Sequence, residues 1–246
     1  MIDFYKDVHK VWARSHRAGS PIKYVRNTLL IKALKKLTPG FTLDAGCGTG
    51  AYSIFLAERG HTVKAFDASP FAIRKLREYS GKGVNIQAEI NTVENFYSSE
   101  QFDNILAIEV MEHIVSDRSA IKKYYSLLKA GGTMVISVPA TPFLYSLSDQ
   151  FSGHYRRYSY KNFRSLITSA GFKHFQITRY GFPVLFLYSL IRKLFLDKLF
   201  IRHFLLTKGS ADDHGTLFSR LYPLLLAIDL SDKSFFSVGY VAVCQK

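Results

Sequence analysis

The chain of 246 residues contains only two cysteines, Cys47 and Cys244. So sparse a pair builds no disulfide framework, and a reducing compartment is expected. Acid is scarce as well: 19 Asp and Glu face 33 Lys and Arg, a net charge of +14. The first residues, MIDFYKDVHK, mix acids with bases and lack the apolar stretch of a secretory signal, so a cytoplasmic protein is expected. No apolar run reaches the roughly 20 residues that a membrane span requires. Arg192, Lys193, Asp197, Lys198 and Arg202 interrupt the stretch richest in Leu and Phe. No internal repeat and no recognisable RNA-binding module is present, which makes nucleic acid the less favoured partner.

Nearly half of the residues, 48%, are hydrophobic and 21% are charged. That is the balance of a folded chain, long enough for one well-buried α/β domain with an elaboration. The positive charge is unevenly spread. Residues 150–208 hold eleven Lys or Arg and one acid, Asp197, and residues 1–38 hold nine against Asp3 and Asp7. Two basic regions flanking a neutral middle point to an anionic partner: a nucleic acid, a phospholipid surface or a phosphorylated substrate.

Pro21 opens a helical stretch to about Leu37, which Pro39 and Gly40 end. Strand-like apolar runs at 41–45, 62–67, 84–88, 102–108 and 133–139 then alternate with helical patterns at 51–58, 70–79 and 117–128. A helix over 160–170, a strand over 172–179 and a last strand over 235–244 complete the series. Such alternation predicts a doubly wound parallel α/β sheet of about seven strands with helices on both faces. The expected division is a helical cap at 1–38, a core at 39–180, an apolar basic insert at 181–230 and the final strand at 231–246.

Ligands of such sheets sit at the carboxyl ends of the strands. The run LDAGCGTG at 43–50 is at such a place, and Gly46, Gly48 and Gly50 permit a tight turn and close ligand approach. These glycines also fit a dinucleotide-binding pattern. Asp44 separates the two readings, since an acid before the first glycine repels a pyrophosphate and stabilises a cationic sulfonium. The run resembles motif I of the class I methyltransferases, a Rossmann-like family that uses S-adenosylmethionine. The resemblance implies that Asp44, Gly46, Cys47, Gly48, Gly50, Asp67, Ala68 and Ile108 hold the cofactor, with Asp67 on the ribose and Glu89 near the adenine. FDNILAIEVMEHI and LLKAGGTMVISVP are similar to the family's fourth- and fifth-strand motifs, although Ala130 replaces a usual proline.

Glu109, Glu112 and His113 follow the fourth strand at i, i+3 and i+4, which places them on one face if a helix starts there. Two carboxylates and an imidazole suit a divalent metal: oxygen ligands favour Mg²⁺ or Mn²⁺, and the imidazole admits Zn²⁺. His154 in SGHYRRYS is the expected fourth ligand. Without a metal, His154 or His113 takes the acceptor's proton, and Glu109 belongs to the same reacting centre. Arg156, Arg157 and Tyr158 are placed to clamp an anionic substrate. The Glu-x-x-Glu-His pattern with a distant histidine resembles ubiquinone-type O-methyltransferases and the small-RNA terminal-ribose methyltransferases. His16, Arg17 and the segment 20–23 are similar to the quinone enzymes' N-terminal segment, whose basic residue approaches the cofactor; Lys23 and Arg26 are both equivalents.

Within the insert, the charges scatter around a helical wheel at ~100° per residue, so shorter helices broken near Arg192 and Lys193 are expected. Their Leu and Phe suit a lid, a dimer surface or shallow insertion among headgroups at the inner face of a membrane. These residues together suggest a methyl transfer to oxygen on an amphiphilic small molecule, such as a quinone precursor, a lipid or a lipid-linked sugar. The alternatives are an RNA ribose methyltransferase, a non-catalytic cofactor-binding interaction protein and a nicotinamide oxidoreductase.

Overall fold

The computed structural model describes residues 21–80, 83–196 and 236–246. Helix α1 (Pro21–Leu34) leads into β1 (Phe41–Ala45), α2 (Ala51–Ala57), β2 (Thr62–Asp67), α3 (Pro70–Ser80), β3 (Ile86–Ile90) and β4 (Phe102–Ile108). A 3-10 turn (Met111–His113), α4 (Asp117–Leu127) and β5 (Leu128–Pro139) follow, then a second 3-10 turn (Pro142–Leu144), α5 (Leu147–Phe151), α6 (Tyr160–Ala170) and β6 (His174–Tyr180). Helix α7 (Val184–Ile191) passes into a π-helical turn (Arg192–Leu196), and β7 (Gly239–Gln245) ends the chain.

The seven strands form one sheet in the order β3-β2-β1-β4-β5-β7-β6. Strands β1 to β5 are parallel, but β7 runs antiparallel between β5 and β6. The expected doubly wound sheet of about seven strands is present, and β7 makes the expected parallel arrangement a mixed one. An apolar run buried on both faces looks the same in either direction, so periodicity could not reveal this reversal.

Alternate residues of the central strands feed two cores. Ile105 and Ala107 of β4 join Leu43, Met134, Ile136 and Ala242 beneath α4 and α6, where Ile121, Tyr124, Phe163 and Ile167 pack. Leu106 and Ile108 join Val63, Ala65, Val135 and Val241 beneath α1, α2 and α3, where Val25, Ile31, Phe55 and Leu76 pack. Order reverses between β1 and β4, and their carboxyl ends open side by side at this switch point, the usual position for a ligand.

Of the insert expected at 181–230, residues 197–230 lie outside the described residues, as does the cap segment 1–20 with His16 and Arg17. Within 181–196, helix α7 gives way to the π-helical turn at Arg192. Among the described residues, no helix is long and apolar enough to cross a membrane.

Candidate active site

Strand β1 delivers Asp44 to a turn in which Gly46, Gly48 and Gly50 have φ of 70°, 53° and 81°. At Gly46 the left-handed backbone coincides with close packing: a Cβ there would stand 2.5 Å from Val110 Cγ2. The N–H groups of Gly46 and Cys47 both donate to the Phe66 carbonyl at 2.8 and 2.9 Å, tying the turn to β2. Asp67 caps that strand end, its two carboxylate oxygens accepting the N–H groups of Gly48 and Ser69, each at 2.8 Å. Burial pushes the Asp44 carboxyl up to about 6, against a 2.6 Å hydrogen bond donated by Ser53 and with Asp67 adding to the rise. Burial also raises the Cys47 thiol, helped by Asp44 and Asp67, which disfavours its thiolate.

Two adjoining cavities of ≈ 460 and ≈ 410 Å³ share Gly46 and Asp67. The smaller is also lined by Arg26, Asp44, Cys47, Gly48, Tyr52 and Ile108, the larger by Ala68, Asn91, Val93, Glu109 and His113. Arg26, one turn beyond Lys23 on α1, lines the cleft, and Lys23 does not. Glu89 also lines neither cavity. It lies within β3, opposite Phe66, and accepts a 3.2 Å hydrogen bond from Asn91. The strand runs two residues further than its apolar pattern shows, so the loop at the cavity starts at Asn91. That residue and Val93 went unread; their position just after a strand's carboxyl end was the available signal.

Glu109 departs furthest from expectation. No helix starts at it: its φ is 55°, and the turn that follows is a short 3-10 one. Its carboxylate is taken up by two other groups. Glu109 Oε2 lies 2.6 Å from the guanidinium of Arg26, and Oε1 accepts the Ser137 hydroxyl at 2.9 Å. The donor cluster that does form holds Glu112, His113 and His154, whose ligand atoms lie within 4.8 Å of one another. Of the expected metal set, Glu109 stands outside this cluster.

The segment after β5 brings His154 to this cluster by backbone pairing, since the Tyr155 N–H donates to the Glu112 carbonyl at 2.8 Å. Asp149 orients it. Its carboxylate accepts from the N–H and hydroxyl of Ser146, holds His154 Nδ1 at 2.9 Å and receives Arg157 Nε at 3.0 Å. Burial alone would raise the Asp149 carboxyl, but His154 and Arg157 outweigh it and hold the group down at about 2. His154 Nε2 is left 4.0 Å from Glu112 Oε1. Glu112 is fully buried with neither oxygen hydrogen-bonded, and burial, with Glu109 nearby, pushes its carboxyl well above the usual range. His113 packs edge-on against His154 and places Nδ1 3.2 Å from the Gly153 carbonyl, while burial and then His154 lower its pKa.

The expected anion clamp does not form. Arg157 is spent on Asp149, Arg156 lies 3.0 Å from Asp117, and the buried Tyr158 donates to the same Asp117. Asp149 was not foreseen, because its link to His154 depends on the fold of the intervening turn.

The strand order, the glycine turn led by a buried acid and the second acid ending β2 define a class I S-adenosylmethionine-dependent methyltransferase. Residues 15–177 match the family model described as Methyltransferase domain, and the chain belongs to that family. The ubiquinone biosynthesis O-methyltransferase of Pseudomonas fluorescens (strain Pf0-1) is 34% identical over 99 residues, 39% of this chain and 42% of that protein. The one from Xanthomonas euvesicatoria pv. vesicatoria is 32% identical over 110 residues, 43% of this chain and 46% of that protein. The chain thus matches less than half the length of these relatives. Haemonchus contortus phosphoethanolamine N-methyltransferase 2, solved with S-adenosyl-L-methionine, shares the fold at a TM-score of 0.62 and 18% identity, over 99% of this chain and 57% of that one. Bradyrhizobium japonicum N-methyltransferase NodS does so at 0.58 and 15%, over 92% and 97%.

Proposed function

We propose that the chain transfers the methyl group of S-adenosylmethionine to an oxygen of a small amphiphilic acceptor. The observation that carries this reading is His154, whose Nδ1 is fixed on Asp149 and whose Nε2 is left for the acceptor beside the cavity that His113 shares with Asp67. With the Nδ1 proton donated to Asp149, Nε2 is the basic nitrogen. The acceptor oxygen attacks the methyl carbon in line as the carbon–sulfur bond breaks. The sulfonium becomes a neutral thioether, and the hydroxyl proton passes to His154 Nε2. Support for oxygen also comes from the name printed for the 34% identical relative, an O-methyltransferase.

A divalent cation fits the same place. Glu112 offers two buried oxygens without hydrogen bonds, and His154, backed by a carboxylate, has the arrangement common among metal-ligating histidines. When bound, such an ion increases the acidity of the acceptor hydroxyl. Support for an amphiphile comes from exposed side chains: Phe143, Phe151 and Tyr155 border the His154 segment, and Leu187, Ile191 and Leu194 stand at i, i+4 and i+7. Lys193 Nζ lies 4.5 Å over the Phe143 ring and joins the two groups. This apolar face, with the basic residues around it, suits peripheral contact with an anionic membrane.

The test is a methyl-transfer assay with catechols carrying alkyl chains of increasing length. KM is expected to fall with chain length, and His154→Ala to lower kcat about 10²- to 10⁴-fold. Asp149→Asn is expected to lower it about 10- to 100-fold and to move the acid limb of the pH profile, which simple unfolding would not do. Transfer to RNA instead, with a steep salt dependence, would overturn the proposal.

A further inference from the structure

Glu109 holds a left-handed backbone that a residue with a Cβ keeps only where its surroundings impose it. Here they do so at both carboxylate oxygens, through Ser137 on β5 and Arg26 on α1. The pair spans the two cavities, for Arg26 lines one and Glu109 the other. Among the described residues, Arg26 is the only Lys or Arg lining either cavity, against the acids Asp44, Asp67, Glu94 and Glu109. Its Nε is buried without a hydrogen-bond partner.

The methyl donor carries an α-carboxylate at the end opposite its adenosine. Among these lining residues, only Arg26 can neutralise that charge, and its guanidinium lies 2.6 Å from Glu109 Oε2. We infer that Glu109 is a latch that competes with the donor's carboxylate for Arg26, so that binding of the donor loosens the Glu109 contact with α1. Glu109 is then a positioning residue, acting on the donor through Arg26 and neither coordinating metal nor taking a proton. The inference rests on the donor assignment and is independent of the acceptor's identity.

Calorimetry with two probes separates the latch from a merely structural role. S-adenosylhomocysteine has the amino-acid carboxylate, and 5′-methylthioadenosine lacks it. Glu109→Gln is expected to tighten S-adenosylhomocysteine about tenfold, the worth of one charge-assisted contact, and to leave methylthioadenosine unchanged. Arg26→Gln is expected to weaken S-adenosylhomocysteine alone. In the wild-type chain, the Arg26 Nε–H resonance should move on addition of S-adenosylhomocysteine and stay in place with methylthioadenosine, a reading that needs no variant. Equal changes for both probes, weaker or unaltered S-adenosylhomocysteine binding by Glu109→Gln, or a resonance indifferent to both probes would overturn the latch. Failure of the wild-type chain to bind S-adenosylhomocysteine would overturn the donor assignment and the latch with it.

Discussion

Asp44 is a buried acid whose charge is finely balanced, since burial raises its carboxyl to about 6 and leaves it mostly ionised at neutral pH. The native state therefore holds a proton that the unfolded chain, titrating near 3.9, has released between about pH 4 and 6. Ionising Asp44 accordingly costs stability as pH rises through that window, and a nearby cation relieves the penalty. S-adenosylmethionine is expected to bind about tenfold more weakly as pH falls from 7 to 5, while neutral-sulfur S-adenosylhomocysteine loses less. Calorimetry across that range checks it; parallel losses would show that Asp44 does not sense the sulfonium. The contrast between Asp44 and Glu109 shows what was legible at this scale. Asp44 could be read because it is tied to a turn with three glycines in five residues, a local pattern. Glu109 could not, because the helical spacing that grouped it with Glu112 assumed a backbone that its left-handed φ breaks.

The turn between β1 and α2 is the element that gives the cleft its floor. Its N–H groups donate to the Phe66 carbonyl and the Asp67 carboxylate of β2, and its glycines leave room for Val110 and Leu76, against whose side chains a Cβ at Gly46 and at Gly50, respectively, would press. Gly46→Ala adds a left-handed penalty to that contact and is expected to cost about 1–3 kcal/mol of stability as well as donor affinity. Thermal unfolding and calorimetry measure the two losses; an unchanged melting temperature with full affinity would mean that the turn has slack. Strand and helix positions along this part of the chain followed from alternation of apolar runs with helical patterns. The antiparallel insertion of β7 did not, since direction leaves no trace in a strand buried on both faces. Asp149 escaped for a related reason, its meeting with His154 depending on a short capped helix and a turn that no sequence period announces.

Across the molecule, the two cores make the sheet a rigid platform, and the groups that act stand on it at the reversal between β1 and β4. The groups assigned to the donor come from β1, β2 and α1, whereas Glu112, His113 and His154 come from the segments after β4 and β5. This separation explains why the glycine turn was legible as one contiguous motif, while the grouping of Glu112, His113 and His154 with Asp149 needed the fold to bring distant residues together. It also makes the donor half testable alone. One titration bears most directly on the assignment: calorimetry of the purified chain with S-adenosylhomocysteine and with NADH, repeated on Asp67→Ala. One-to-one binding of S-adenosylhomocysteine, weakened at least about tenfold in Asp67→Ala, with no heat from NADH, is the expected result. Binding of NADH in place of S-adenosylhomocysteine would contradict it.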